Sequence, residues 1–225
     1  MIDDLDTIED FRKTMMVLRN TLMEITDFGC KYMVVIAGTS KLFDLMYEAH
    51  APLVRFFEPL TLDNLTDEEA RNAIVKPLND AKIKFEGEVV DNIVAFSNGQ
   101  PYYLQEICYH TFDASNNARI TSEDFELGFD MAFSDIVNLV LERRVSELSK
   151  SEMRLLSMIP PMKPLNYKNI IDIAVKNNMK STTANTSLNR LKVKGFIKQI
   201  LVGKDKGKYI AYDALLLQYL KKMDE

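Results

Sequence analysis

A short turn between two apolar segments constrains the fold of this chain more than any other feature. Gly99 and Pro101 stand between an apolar run that ends at Phe96 and an aromatic, apolar run that begins at Tyr102. Glycine suits the position just past a helix end, where φ is often positive, and proline suits the first turn of a helix because its missing N–H would have no partner there. We therefore predict a tight junction between two helices at this point.

Helical patterns lie on both sides of this junction. Residues 66–69 and 121–124 read as capping boxes, in which a threonine side chain and an acidic side chain satisfy each other's backbone N–H groups. Predicted helices begin near residues 66, 88, 101, 121 and 134. The charged residues 142–144 of the last helix are predicted to face solvent. The middle of the chain is thus predicted to be helical.

The N-terminal part has a different pattern. Apolar residues between Ile8 and Ile25 recur at spacings of three and four, which predicts an amphipathic helix of about five turns. The continuous apolar run 32–37 predicts a strand buried on both faces of a parallel sheet. The polar residues Thr39 and Ser40 then follow this strand at the edge where open α/β sheets bind ligands.

The net charge of −5 is unevenly distributed. Residues 1–147 contain 13 Lys and Arg against 27 Asp and Glu, whereas residues 148–225 contain 15 against 6. Such an asymmetry indicates separate domains, and the basic one is the candidate for binding nucleic acid. Attraction between the two halves of the chain is the alternative explanation.

The basic tail, residues 149–225, predicts three helices followed by a hairpin that turns at residues 203–207, which matches a winged helix-turn-helix. In that geometry the third helix enters the major groove of DNA and the wing contacts phosphates. The candidate DNA-binding residues are Thr182, Asn185, Thr186, Asn189 and Arg190 on the third helix and Lys204, Lys206 and Lys208 on the wing. Protein docking is the alternative role for such a tail.

The order of these motifs resembles the C-terminal portion of an AAA+/STAND-type archaeal ATPase. The segment Met1-Ile2-Asp3-Asp4 is similar to the end of a Walker B strand, and Val34-Val35-Ile36-Ala37-Gly38-Thr39-Ser40 to a sensor 1 strand. The resemblance implies that Asp3 holds Mg²⁺ through water, that Asp4 orients the attacking water, and that Thr39 or Ser40 faces the γ-phosphate. Read without the resemblance, the acidic residues at the start only cap the first helix.

Two further segments carry the resemblance. Residues 52–62 resemble the arginine-then-strand element that precedes the helical lid of archaeal members, which implies that Arg55 reaches the γ-phosphate of a neighbouring subunit. Residues 99–105 resemble the Gly-x-Pro motif of STAND ATPases, which implies that Gly99 and Pro101 lie against bound nucleotide and report its state to the lid.

The sequence contains no Gly-x-x-x-x-Gly-Lys-Ser/Thr loop to cradle phosphates, so we expect ATP and Mg²⁺ only in a complete protein and no hydrolysis by this chain alone. The predicted fold is mixed and mainly α: a remnant of an α/β P-loop core (1–62), a helical lid (63–132), a linker helix (133–148) and a C-terminal winged helix (149–225). DNA is the predicted partner of a cytoplasmic protein without a membrane segment.

Three alternatives remain from the sequence: a non-enzymatic winged-helix regulator that binds DNA, a protein-docking adaptor, and an inactive subunit that lends Arg55 to a partner ATPase subunit or homo-oligomer. The two cysteines, Cys30 and Cys108, are predicted to be buried. The isolated histidines His50 and His110 suggest no zinc site.

Overall fold

A computed structural model describes residues 1–39, 42–115 and 118–224 of the chain. These residues belong to two compact units, Met1–Asp63 (the N-terminal unit) and Asn64–Glu225 (the C-terminal unit). The described part is mainly helical, as predicted, and its named strands form two two-stranded sheets. None of the described helices is both long and apolar enough to cross a bilayer.

The N-terminal unit contains the predicted amphipathic helix, α1 (Phe11–Asp27), followed by α2 (Leu42–His50). Two short 3₁₀ segments, Leu5–Thr7 and Ala51–Phe56, flank these helices in the chain. A small core of Leu5, Met15, Met46 and Leu53 holds them together.

The prediction that residues 32–37 form a strand buried on both faces is wrong. Ile2 and Ile36 form a single parallel bridge, in which the N–H of Ile2 donates to Val35 O (2.9 Å) and the N–H of Ala37 donates to Ile2 O (2.8 Å). Met33, however, is 86% exposed. A strand buried on both faces needs neighbouring strands and helices on either side, and the described residues supply only this one bridge.

The strand expected after Arg55 is also wrong within the described residues. Residues 57–66 have no helix or strand assigned, and Leu60 and Leu62 are exposed. Cys30 is exposed as well, contrary to prediction, because it lies beyond the end of α1 and outside the small core. Cys108 is partly buried against the core of the C-terminal unit, and burial raises the pKa of its thiol to about 12.

The first part of the C-terminal unit contains the elements α3 (Asp67–Asp80), β1 (Lys84–Phe85), α4 (Gly87–Ser97), α5 (Pro101–Ala114), β2 (Arg119–Ile120) and α6 (Ser122–Ile136). Thr66 and Thr121 form the predicted capping boxes with Glu69 and Asp124. The strands β1 and β2, which the sequence did not predict, pair in parallel. Helices α5 and α6 pack closely, and a Cβ on Gly128 would lie 2.5 Å from the Thr111 backbone.

The predicted separate linker helix is wrong in one respect, because α6 continues into it. A π-helical segment, Val137–Leu141, follows α6 directly and leads into α7 (Glu142–Ser146). The N–H of Glu142 donates to the carbonyl of Val137, five residues earlier, which is the π-helical spacing. The segments predicted as lid and linker therefore meet in one continuous helix.

The tail contains α8 (Lys150–Met158), α9 (Tyr167–Lys176), α10 (Ser181–Val193), β3 (Lys198–Gln199), β4 (Tyr209–Ile210) and α11 (Ala214–Asp224). The predicted hairpin is confirmed: β3 and β4 pair antiparallel. An isolated antiparallel bridge joins Leu165, between α8 and α9, to Tyr209. The side chains of Leu155, Leu188, Leu191 and Leu215 belong to the core of this unit.

Glu152 at the start of α8 links stability to pH. Its side chain is 1% exposed, lies 2.8 Å from Lys194 Nζ and accepts the N–H of Ser149 at 2.8 Å. Burial by itself would raise the pKa of this carboxyl, but the hydrogen bonds from Lys194 and Ser149 outweigh burial and lower it.

A carboxyl whose pKa is lowered on folding contributes stability that is present above its unfolded pKa and is lost as pH falls through its folded pKa. We therefore expect Glu152→Gln to lower the free energy of unfolding by about 2 kcal/mol at neutral pH. Below pH 4.5, the ordinary pKa of a glutamate carboxyl, the variant should lose stability less steeply than the wild type in urea denaturation. The exposed Glu126→Gln should leave both quantities unchanged; an unaltered acid profile for Glu152→Gln would contradict the assignment.

Candidate functional site

The Gly99–Pro101 turn has the predicted geometry of a helix junction. Helix α4 ends at Ser97, Asn98 and Gly99 have φ values of 48° and 68°, and Pro101 is the first residue of α5. Both the positive φ at Gly99 and the helix-starting proline are thus confirmed.

Gly99 also makes a close backbone contact that the local pattern did not reveal. It is buried, and its carbonyl accepts the N–H of Leu65 at 2.8 Å. A Cβ at this position would overlap the carbonyl oxygen of Leu65. Glycine is therefore required here both by the backbone conformation and by the neighbouring chain.

The turn is attached directly to the tail. The side-chain amide of Asn98 donates to the carbonyl of Tyr212, which precedes α11. The Asn98 carbonyl in turn accepts from Asn64 Nδ2 at 3.1 Å. One residue of the turn thus contacts both the segment before α3 and the segment before α11.

A buried polar network reinforces this attachment. Asp213, 4% exposed, accepts a hydrogen bond from the Tyr103 hydroxyl at 3.1 Å and forms an ion pair with Arg144. Its other oxygen accepts the N–H of Leu216 at 3.0 Å and so caps α11. The network, Tyr103–Asp213–Arg144, joins the first turn of α5, helix α7 and the start of α11.

The surroundings of Tyr103 favour the protonated form of its hydroxyl. Burial, followed by the negative charge of Asp213, raises the pKa of Tyr103 well above its ordinary value. The phenol therefore remains a hydrogen-bond donor throughout the physiological pH range.

Glu142 and Arg143 are exposed as predicted, whereas Arg144 departs from the prediction that residues 142–144 face solvent. Besides its ion pair with Asp213, its guanidinium lies 5.1 Å from the centre of the Phe196 ring. Its partners are distant in sequence, so helical periodicity could not find them. Asp213 did carry a local signal, because it precedes an apolar helix as an N-cap residue.

Pro101 itself is exposed, as is Gln105, whereas Tyr103 and Leu104 are buried. The hydroxyl of Tyr102 is buried without a hydrogen-bond partner among the described residues. The described residues therefore bring Asn98 and Tyr103 into contact with the tail and leave the proline accessible.

In the N-terminal unit, Asp6 rather than Asp3 or Asp4 contacts the predicted sensor residue. Both the hydroxyl and the backbone N–H of Thr39 donate to Asp6 Oδ2, the latter at 3.2 Å. The hydroxyl hydrogen bond lowers the pKa of the Asp6 carboxyl, so it is ionised at neutral pH. Asp3 and Asp4 are exposed, and Asp3 accepts the backbone N–H of Asp4 at 3.0 Å.

These residues do not form a complete nucleotide site. Asp6 Oδ1 is buried without a hydrogen-bond partner among the described residues, and a Cβ on Gly38 would lie 2.6 Å from it. Asp3, Asp4 and Asp6 do not converge as a group of metal ligands among the described residues. The sequence also supplies no phosphate cradle, so the residues present do not fit ATP by themselves.

Arg55 lies in the 3₁₀ segment Ala51–Phe56, is exposed, and makes no ion pair with any described residue. Ser40, the alternative sensor residue, lies outside the described residues.

The predicted DNA-contacting residues of α10 lie on its exposed face. Those residues are Thr182, Asn185, Thr186, Asn189 and Arg190. On the opposite face, Ala184, Leu188 and Leu191 are buried. Lys204 and Lys206 are exposed at the hairpin tip, whereas Lys208 is partly buried and pairs with Asp205 at 2.7 Å.

Comparison with known proteins shows a weak likeness to a solved structure. No protein-family model and no curated protein matches the chain. Among solved structures, it is similar to a RuvB mutant from Thermotoga maritima, with a TM-score of 0.46 and 14% sequence identity, across 99% of this chain and 68% of that one.

Proposed function

We propose that this chain is the C-terminal part of an AAA+/STAND-like ATPase whose winged-helix tail binds DNA in response to the nucleotide state of the complete protein. The order of the sequence motifs supports the ATPase part of the proposal. The arrangement of helices, hairpin and charge in the tail supports the DNA-binding part.

The topology of the tail favours a winged helix. Three helices, α8 to α10, are followed by the antiparallel β3–β4 hairpin, and Leu165 adds a third extended segment through its bridge to Tyr209. In this proposal α10 is the recognition helix, because its exposed face carries amide, hydroxyl and guanidinium groups that can contact base edges or phosphates.

The Tyr103–Asp213–Arg144 network is the observation that supports coupling between the Gly99–Pro101 turn and the tail. It fixes the first turn of α5, two residues after Pro101, to the N-terminus of α11 in the tail. A change in the Gly99–Pro101 turn would therefore act on the tail through direct hydrogen bonds, without a flexible linker between them. Helix α7 adds a second attachment through Arg144.

If the tail binds DNA through phosphate contacts, its affinity for DNA should fall as the salt concentration rises. We expect the full chain to bind a labelled DNA duplex in fluorescence anisotropy at about 50 mM KCl and at least ~10-fold more weakly at about 200 mM. Replacing both Lys204 and Lys206 by alanine removes two exposed cations from the hairpin tip. The slope of log affinity against log salt should then fall by about two.

The matched control replaces Lys13 and Lys31 by alanine. It removes the same two charges, both exposed, from the N-terminal unit and should leave duplex affinity nearly unchanged. Absence of binding at low salt, or equal effects of the two double variants, would refute DNA binding by the tail.

One observation favours protein docking as the second candidate. Leu201 and Val202 are 72% and 80% exposed beside the hairpin turn, and Val193 at the end of α10 is also exposed. Exposed aliphatic residues at a wing suit a protein partner better than a phosphate backbone. Failure of the duplex titration would therefore leave docking as the preferred role of the tail.

A further inference from the structure

Three side chains capable of binding a metal ion converge on one side of the α5–α6 helix pair. They are Glu106 and His110 of α5 and Asp135 of α6, which we call the Glu106–His110–Asp135 cluster. One ligand atom from each lies within 4.8 Å of the other two. We propose that this cluster binds a divalent transition-metal cation, with Zn²⁺ as its representative.

The distances within the cluster suit such an ion. His110 Nε2 lies 2.9 Å from Asp135 Oδ2 and 3.7 Å from Glu106 Oε2. Tetrahedral Zn²⁺ with bonds of about 2.0–2.2 Å places its ligand atoms ~3.3 Å apart, so small side-chain rotations bring all three into the coordination sphere.

The chemical nature of the three ligands also indicates which class of cation they would bind. One imidazole and two carboxylates suit Zn²⁺ and its neighbours in the first transition series, whereas Mg²⁺ prefers oxygen ligands alone. The two carboxylates balance the charge of the dication. Three protein ligands leave at least one coordination position for water or another ligand.

The helices hold these ligands in place. Glu106 and His110 are four residues apart on α5 and therefore share one face of that helix. Gly128 allows α6 to approach the backbone of Thr111 and His110, which brings Asp135 alongside. His110 is 8% exposed, while Glu106 and Asp135 keep enough exposure for an ion to enter from solvent.

Tyr102 supplies an independent observation. It lies one turn before Glu106 on the same face of α5, and its buried hydroxyl has no hydrogen-bond partner among the described residues. A hydroxyl one turn from Glu106 is suited to donate to a carboxylate oxygen or to a water on the bound cation.

Isothermal titration of the metal-free full chain with ZnCl₂ tests the proposal. We expect saturable binding of about one Zn²⁺ per chain and a rise in melting temperature on the order of 5 °C at saturation. Addition of Co²⁺ in place of Zn²⁺ should produce visible d–d absorption with the intensity of a four- or five-coordinate site. Excess Mg²⁺ should not displace Zn²⁺.

Variants locate the site. His110→Gln and Glu106→Gln should each weaken Zn²⁺ affinity by ~100-fold or more and abolish the cobalt spectrum. Glu126→Gln, an exposed carboxylate on α6 outside the cluster, is the matched control and should bind as the wild type does. Glu106 is partly exposed, so its variant tests the site even if His110→Gln fails to fold.

Two outcomes would overturn the proposal. One is the lack of saturable Zn²⁺ binding to the wild-type chain. The other is Zn²⁺ binding that Glu106→Gln leaves unchanged, because the ion would then occupy another part of the molecule. Neither outcome depends on whether the tail binds DNA.

Discussion

Replacing Asp213 by alanine is expected to lower the free energy of unfolding by about 3–5 kcal/mol, because it breaks a buried ion pair from one side. The change leaves the guanidinium of Arg144 without its counter-charge and the buried hydroxyl of Tyr103 without its acceptor. It also removes the cap from the Leu216 N–H. Urea denaturation followed by circular dichroism measures the loss.

The matched control is Asp205→Ala, which breaks the ion pair with Lys208 at the more exposed hairpin and should cost far less stability. Tyr103→Phe should cost about 1–2 kcal/mol, because it deletes one hydrogen bond and keeps the ring buried. Equal losses for Asp213→Ala and Asp205→Ala would show that the network does not fasten α5 to α11.

Substituting Gly99 by alanine should destabilise the chain by about 3 kcal/mol or more. The positive φ of 68° strains any residue with a Cβ, and the added methyl group would overlap the Leu65 carbonyl. The junction must then open and lose the hydrogen bond from the Leu65 N–H. If the turn couples to the tail, the variant should also weaken duplex binding, even under conditions in which it stays folded.

The Gly195→Ala variant separates backbone strain from steric overlap as causes of the destabilisation. Gly195 follows α10 as Gly99 follows α4, with a φ of 77°, but a Cβ there meets nothing within 4 Å. Its variant should therefore cost only the conformational strain, about 1 kcal/mol. A similar cost for both glycine variants would mean that contact with Leu65 contributes little.

The local signals of the sequence account for most of the helices. The capping boxes at Thr66 and Thr121, the positive φ at Gly99 and the helix start at Pro101 depend on residues within a few positions of one another. The same holds for the hairpin between β3 and β4. Such features follow from backbone sterics and short-range hydrogen bonds, so the sequence predicts them correctly.

The features that the sequence missed depend on pairs far apart in the chain. The ion pair between Arg144 and Asp213 and the approach of His110 to Asp135 are decided by how helices pack. Hydrophobic periodicity predicts which face of a helix is buried, but not which helix covers it. For the same reason a continuous apolar run at residues 32–37 could not reveal that Met33 would stay exposed.

The sequence did not predict the contact between Asp6 and Thr39, because the motif pointed to neighbouring acidic residues. The resemblance to a Walker B strand directs attention to Asp3 and Asp4, immediately after the bridge at Ile2. The chain instead turns through the short 3₁₀ segment Leu5–Thr7, which carries the third acidic residue to Thr39. The motif match therefore selected acidic residues two and three positions before the one that contacts Thr39.

The π-helical segment has a mechanical consequence. A π-helical turn contains about one residue more than an α-helical turn. The helix after the segment is therefore rotated by ~100° about the helix axis relative to the helix before it. Asp135 before the segment and Arg144 after it therefore point along directions that an uninterrupted α-helix would not give them. The π-helical segment thus sets the angle between the two ends of this helix, one beside His110 and the other beside Asp213.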